Sequence, residues 1–166
     1  MAAYTIANLS ASKVNVGTSA AHHETPIKMY KMVVDLDFVA ITAQRVTDGD
    51  TAFATSDTLQ VLNIPAKTLV MAVGIDVTTA DGTASTVDIG ETGGDVDGWI
   101  NGHDCNAVGS ACSTNNTLVE GTPNVFEPAL GNGKYYSSAD TIDMLFLTAP
   151  QDASVMRVWA VCIDCS

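Results

Sequence analysis

Leu69-Val70-Met71-Ala72-Val73-Gly74-Ile75-Asp76-Val77 is the stretch on which the fold of this chain turns. Its odd positions, Leu69, Met71, Val73, Ile75 and Val77, are apolar throughout. Successive side chains of a strand point to opposite faces, so this spacing predicts a β-strand whose odd row packs on a core.

The same pattern spreads outward. Residues 28–39 hold β-branched and aromatic residues and end in alternation, with Val34, Leu36 and Phe38 set against Asp35 and Asp37. Further short candidates span residues 41–46, 58–64, 68–78, 85–89, 98–100, 117–120, 134–136, 141–147 and 154–163. Turn signals separate them: Asp48-Gly49-Asp50, Pro65-Ala66, Asp81-Gly82, Gly93-Gly94, Asp97-Gly98, Gly131-Asn132-Gly133 and Ala149-Pro150. Short strands at this spacing predict an all-β, antiparallel two-sheet sandwich, with the jelly roll as the expected form. No amphipathic helix is expected. The nearest segment, residues 40–47, is short and rich in β-branched residues.

Residues 1–26 differ. They are rich in Ala, Ser, Thr and Asn, with isolated Ile6, Leu9, Val14 and Val16, and show no sustained period. We read them as an extended N-terminal arm, and residues 27–166 as one β-sandwich domain. Two readings of the arm stay open, a frayed terminus or a segment ordered against a neighbouring subunit.

Composition narrows function. Of the 166 residues 46% are hydrophobic and 16% charged, and seven Lys and Arg face 19 Asp and Glu for a net charge of −12. A field of that sign repels nucleic acid and anionic membranes, so neither is expected as a partner. The first residues carry neither the basic start nor the apolar block of a signal peptide. The chain is therefore expected to be made and used inside a cell, where disulfides are disfavoured.

No catalytic set assembles. There is no Gly-x-Ser-x-Gly, no glycine-rich phosphate loop opening a helix, and no His placed beside a Ser. Asp35 and Asp37 alternate with apolar residues and read as a solvated strand face rather than a glycosidase pair. His22-His23-Glu24 lies in the arm without a partner at helical spacing. An enzyme is not expected, nor a cofactor.

Metal candidates are Cys105, Cys112, Cys162 and Cys165, with His103 two residues before the first. Cys162-Ile163-Asp164-Cys165 has the outline of half a zinc site, but the other pair is seven residues apart and a strand gives Cys162 and Cys165 opposite parity. Free thiols, disulfides formed outside the cell and zinc all remain open. Calcium is the second possibility, at Asp48 and Asp50 or at Asp95 and Asp97 near Glu91; none matches the twelve-residue calcium loop, and solvated turns explain them equally. Trp99 and Tyr135-Tyr136 fit a sugar groove, a core or a subunit interface.

Two passages carry a family resemblance. Thr47-Asp48-Gly49-Asp50-Thr51 runs on to Leu59-Gln60-Val61-Leu62-Asn63-Ile64-Pro65-Ala66-Lys67-Thr68-Leu69-Val70, and a glycine-rich loop follows at Asp88-Ile89-Gly90-Glu91-Thr92-Gly93-Gly94-Asp95-Val96-Asp97-Gly98-Trp99. The later stretch Gly131-Asn132-Gly133-Lys134-Tyr135-Tyr136 and the last strand continue the order. Over residues 44–165 this resembles small virion structural proteins of tailed bacteriophages, notably those of cyanobacteria and marine bacteria. It rests on strand and turn order, not on a diagnostic motif. The resemblance implies a jelly-roll capsid decoration (cement) protein, made in the host cytoplasm and seated on the capsid outer surface. Its implied partners are the major capsid protein and further copies of itself, as a trimer. The alternative it implies is a head or tail fibre, receptor-binding module for carbohydrate or host surface.

Overall fold

A computed structural model describes residues 3–5, 12–15, 28–113, 133–148 and 153–166. Eleven strands and one helix lie among them. The five-stranded sheet has the order β1(Ala3–Thr5), β4(Thr58–Ile64), β10(Asp140–Phe146), β6(Thr86–Gly90), β7(Ile100–Asp104). The six-stranded sheet runs β2(Ser12–Asn15), β3(Lys28–Asp37), β11(Val155–Asp164), β5(Thr68–Thr79), β8(Gly109–Cys112), and β9(Lys134–Tyr136) shares the free edge of β5. This is the expected all-β, two-sheet sandwich; its pairs are antiparallel except β1 with β4.

The connectivity is nested. From β3 onward the first strand pairs the last, β3 with β11, and the second pairs the next to last, β4 with β10. Inside these, β5 pairs β8 and β9, and β6 pairs β7. Successive strands thus cross from sheet to sheet, and each sheet closes over the other's inner face.

Alternation fills the space between. Val34 and Leu36 of β3, Ile75 of β5, Ile89 of β6, Ile142 and Met144 of β10 and Met156 of β11 are all buried. The Ile64-Pro65 corner ends β4, as a residue without a backbone donor should, and Lys67 completes the turn in the left-handed region at φ 59°.

The structure corrects the reading of residues 38–47. They form a helix, α1(Phe38–Thr47), not the end of one strand and the start of another. Asp37 is its N-cap: the carboxylate accepts from the backbone N–H of Val39 at 3.1 Å and of Ala40 at 3.2 Å. Phe38, Ile41 and Arg45, at helical spacing, turn inward. Phe38 meets Phe53 and Phe146 edge to face, with ring centroids 6.1 and 5.8 Å away, and the Arg45 guanidinium lies 4.0 Å above Phe53. Gly49, at φ 89°, then takes the chain out of the helix.

Two strands also fall where none was expected. The candidate at 98–100 begins later, at Ile100, and runs to Asp104, while β8 occupies 109–112. The candidate at 117–120 lies outside the described residues, as do His22-His23-Glu24 and the turn at Ala149-Pro150.

Candidate interaction surface and the polar groups around it

The parity of β5 breaks where the sequence is most regular. Val161 of β11 pairs Ala72 and the next residue, Cys162, pairs Val70, so Met71 is an extra residue in β5. Such a bulge shifts the alternation by one. Val73, Ile75 and Val77 turn into the core as expected, but Val70 takes the inward place before them and Met71 is 39% exposed. The odd row is therefore split, with its first part on the outside.

Leu69 and Met71 join an apolar outer face. One rung crosses four strands, Met29 to Ile163 to Leu69 to Tyr135. The next holds Lys31, Val161 and Ala72, and the third Val33, Trp159 and Gly74. Met29 is 45% and Tyr135 51% exposed, while Leu69, Val33, Trp159, Val161 and Ile163 are half-buried. Trp159 is held on this face: its indole N–H donates to Asp76 Oδ2 at 3.1 Å and the Lys31 ammonium sits 4.7 Å from its ring. A fourth rung closes the patch with charge, where Arg157 donates through Nε to Asp35 at 2.7 Å. Asp35 thus lies on the strand face expected, paired with Arg157, whose guanidinium holds its carboxyl below the ordinary range. The outward residues of the other sheet, among them Gln60, Asn63, Thr86, Thr141, Asn101 and His103, are polar.

The sandwich edge carries a buried polar cluster. Glu91, 4% exposed, follows β6 and accepts from the Tyr136 hydroxyl and from the Lys134 ammonium, both on β9. It ties the loop of one sheet to an edge strand of the other. Burial and the adjoining carboxylate push the Tyr136 hydroxyl far above its ordinary range, so it stays a donor. Nearby Asp143 Oδ2 accepts from Thr92 N at 2.8 Å, beside a space of about 10 Å³ that admits nothing larger than a water molecule. A shallow groove of about 360 Å³ opens between the ends of β4 and β10, lined by Asn63, Pro65 and Asp140. Nothing in the sequence joined Glu91 to Lys134 and Tyr136, since 43 and 45 residues separate them.

The metal candidates stand apart. Among the described residues no three His, Cys, Asp or Glu side chains gather as a metal site would require. Cys105 is buried, its thiol pushed up to about 12 by desolvation, and its S–H donates to the His103 carbonyl at 3.7 Å. Cys112 is half-buried on β8, Cys162 is buried on β11 and Cys165 is exposed beyond it. His103 is half-buried, and desolvation lowers its pKa.

The acidic loops have local work. Asp48 caps the C-terminal end of α1 and accepts from Gln44 Nε2 at 2.8 Å. Asp97 accepts from Asn101 at 2.6 Å, and Glu91 turns away from Asp95 and Asp97 toward β9. Trp99 is fully buried and Tyr136 belongs to the core, whereas Tyr135 stands on the outer face.

No protein-family model and no curated protein matches the chain. Solved structures do. A chain of the acidic stable capsid of Helicobacter pylori bacteriophage KHP30 superposes with a TM-score of 0.51 at 10% identity, covering 95% of each chain. A chain of the capsid asymmetric unit of cyanophage Pam1 superposes with a TM-score of 0.56 at 14% identity, over 87% of this chain and 91% of that one. At these identities the likeness is one of fold.

Proposed function

We propose that this chain is a structural protein of a phage virion: a jelly-roll decoration protein that binds the outside of the assembled head and stabilises it. The observation that carries the reading is the nested strand order combined with a fold likeness that runs nearly end to end against two phage capsid chains. Nested pairing of first with last and second with next to last is the order of a jelly roll. End-to-end coverage favours a protein built of this one sandwich over a module cut from a larger enzyme.

The physical role follows from binding alone. A site formed where shell subunits meet exists only in the assembled head, and a ligand for it favours assembly by RT ln(1 + [L]/Kd) per site. Partners in this reading are the major capsid protein and further copies of the chain, as a trimer. Linked copies bind at high effective concentration. Residues 1–26 serve docking: 3–5 and 12–15 extend the edges of the two sheets, beside β4 and β3.

Particles prepared with and without this protein test the proposal. Complete particles should survive higher temperature and internal pressure, and a particle image should place the added density on the head. Equal bursting temperatures, or density on tail or fibres, overturn it. In the latter case a glycan screen addresses the receptor-binding alternative.

A further inference from the structure

The outer face of the six-stranded sheet is apolar at its centre and cationic at its rim. Three rungs across four strands, spaced about 7 Å along and 4.8 Å across, give roughly 400 Å² of apolar surface. That is the size of the largest apolar patch on a monomer, and about half of what one partner brings to a stable interface. The rim supplies the remainder.

Charge is divided between the sheets. Lys13 on β2, Lys28 and Lys31 on β3, Lys134 on β9 and Arg157 on β11 all lie in the six-stranded sheet. The described strands of the other sheet hold no Lys or Arg, and carry Asp88, Asp104, Asp140 and Asp143. Two copies meeting face to face through the apolar sheet would set Lys28 and Lys31 against the same residues. An acidic surface suits this face better, and the chain itself has one.

That surface is the loop between β6 and β7. Glu91 N donates to Asp95 O at 2.9 Å, Gly94 N to Glu91 O at 3.1 Å and Gly98 N to Asp95 O at 3.3 Å, so the loop is a compact knob. Gly90 leaves no room for a Cβ against the backbone of Asp95 and Val96. Val96, 42% exposed, sits between Asp95 and Asp97. The two carboxyls stand side by side, which holds Asp95 above the ordinary range. A facing cation would relieve that crowding.

We infer that the outer face of the six-stranded sheet seats a second copy of this chain, head to tail, against that copy's acidic, Val96-tipped knob. A head-to-tail contact is heterologous and closes only as a ring of three or more. The inference rests on the homo-oligomer part of the proposed function and names the surfaces that build it.

Light scattering on the full chain at tens of micromolar, with a thermal melt as folding control, tests it. Wild type should give a ring mass. Met71→Glu, at an exposed site, should give a monomer with little change in melting temperature. Lys31→Glu and Asp97→Lys should each weaken assembly on the order of tenfold, and the double variant should recover it. An oligomer that survives Met71→Glu and both charge reversals overturns the inference while leaving the homo-oligomer reading intact. A wild-type monomer overturns the inference and the trimer together. A monomer that binds heads, and loses them on Met71→Glu, shows that the shell occupies this face; the decoration reading then stands and the inference fails.

Discussion

The indole of Trp159 covers Gly74 so closely that a Cβ there would fall inside the radii of its Cζ2 and Cε2 atoms. A glycine in the middle of a strand weakens it, and its presence here is explained by that approach. The contact fixes Trp159 on the outer face, between Lys31 above and the Asp76 carboxylate at its edge.

Gly74→Ala should therefore displace the indole and break its bond to Asp76. Overpacking of this kind costs about 1–3 kcal/mol, or roughly 2–4 °C of melting temperature per kcal/mol at this chain length. Fluorescence isolates the effect, because the other tryptophan, Trp99, is fully buried. Emission should shift to the red as Trp159 leaves its seat. Unchanged emission and melting would show that the ring moves aside freely.

Glu91→Ala tests the tie between the sheets. It strands the Tyr136 hydroxyl in the interior and removes the carboxylate from Lys134. Removing one partner of a buried ionic bond costs about 3–5 kcal/mol, and the partly exposed Lys134 places this case at the lower end. Chemical denaturation should show a lower midpoint with an unchanged slope. A loss under about 0.5 kcal/mol, the size of an ordinary surface substitution, would mean the cluster holds nothing together.

Asp37 separates a cap from a strand residue. Asp37→Ala removes the oxygen that accepts from Val39 and Ala40 and should cost about 1 kcal/mol, whereas Asp37→Asn keeps an acceptor and should cost little. Amide exchange across residues 38–47 should quicken in the alanine variant alone. Equal exchange in both would return Asp37 to the solvated face that alternation assigned it.

That case shows what the sequence yields. Strands β4, β5, β9, β10 and β11 were legible within a residue or so, because each alternates over enough positions to select one face. Residues 38–47 were not: Ile41, Val46 and the threonines argue for extended chain, and only the inward turn of Phe38, Ile41 and Arg45, settled by Phe53 and Phe146, favours the helix. Strands β7 and β8 were hidden by Asn101, Gly102, Asp104 and Gly109, which read as loop; they pair because β6 and β5 offer them edges. The candidate surface was partly visible. Leu69 and Met71 were seen as apolar, but the bulge that turns them outward is a property of the ladder with β11, which no single strand displays.

Asp88 provides a test that turns on pH. Its side chain is 6% exposed, Oδ1 accepts from Gly102 N at 2.7 Å, and desolvation raises its pKa above the ordinary 3.8. A carboxyl whose folded pKa is raised holds its proton more tightly folded than unfolded. Around that window the native state binds more protons, so this group's contribution to stability falls as pH rises through 3.8 toward the folded value, and stays at its lower level above it. Asp88→Asn keeps the acceptor for Gly102 and removes the charge. It should melt higher than wild type at pH 7, and the difference should close as pH falls below the ordinary aspartate value, where Asp88 is neutral in both states. Asp35 runs the other way: its lowered pKa gives stability that is present above 3.8 and lost as pH falls through the folded value. Melting curves of wild type and Asp88→Asn from pH 7 downward separate the two groups, because Asp35 is common to both proteins. An Asp88→Asn gain that persists undiminished in acid would show that the amide packs better for reasons unconnected with charge.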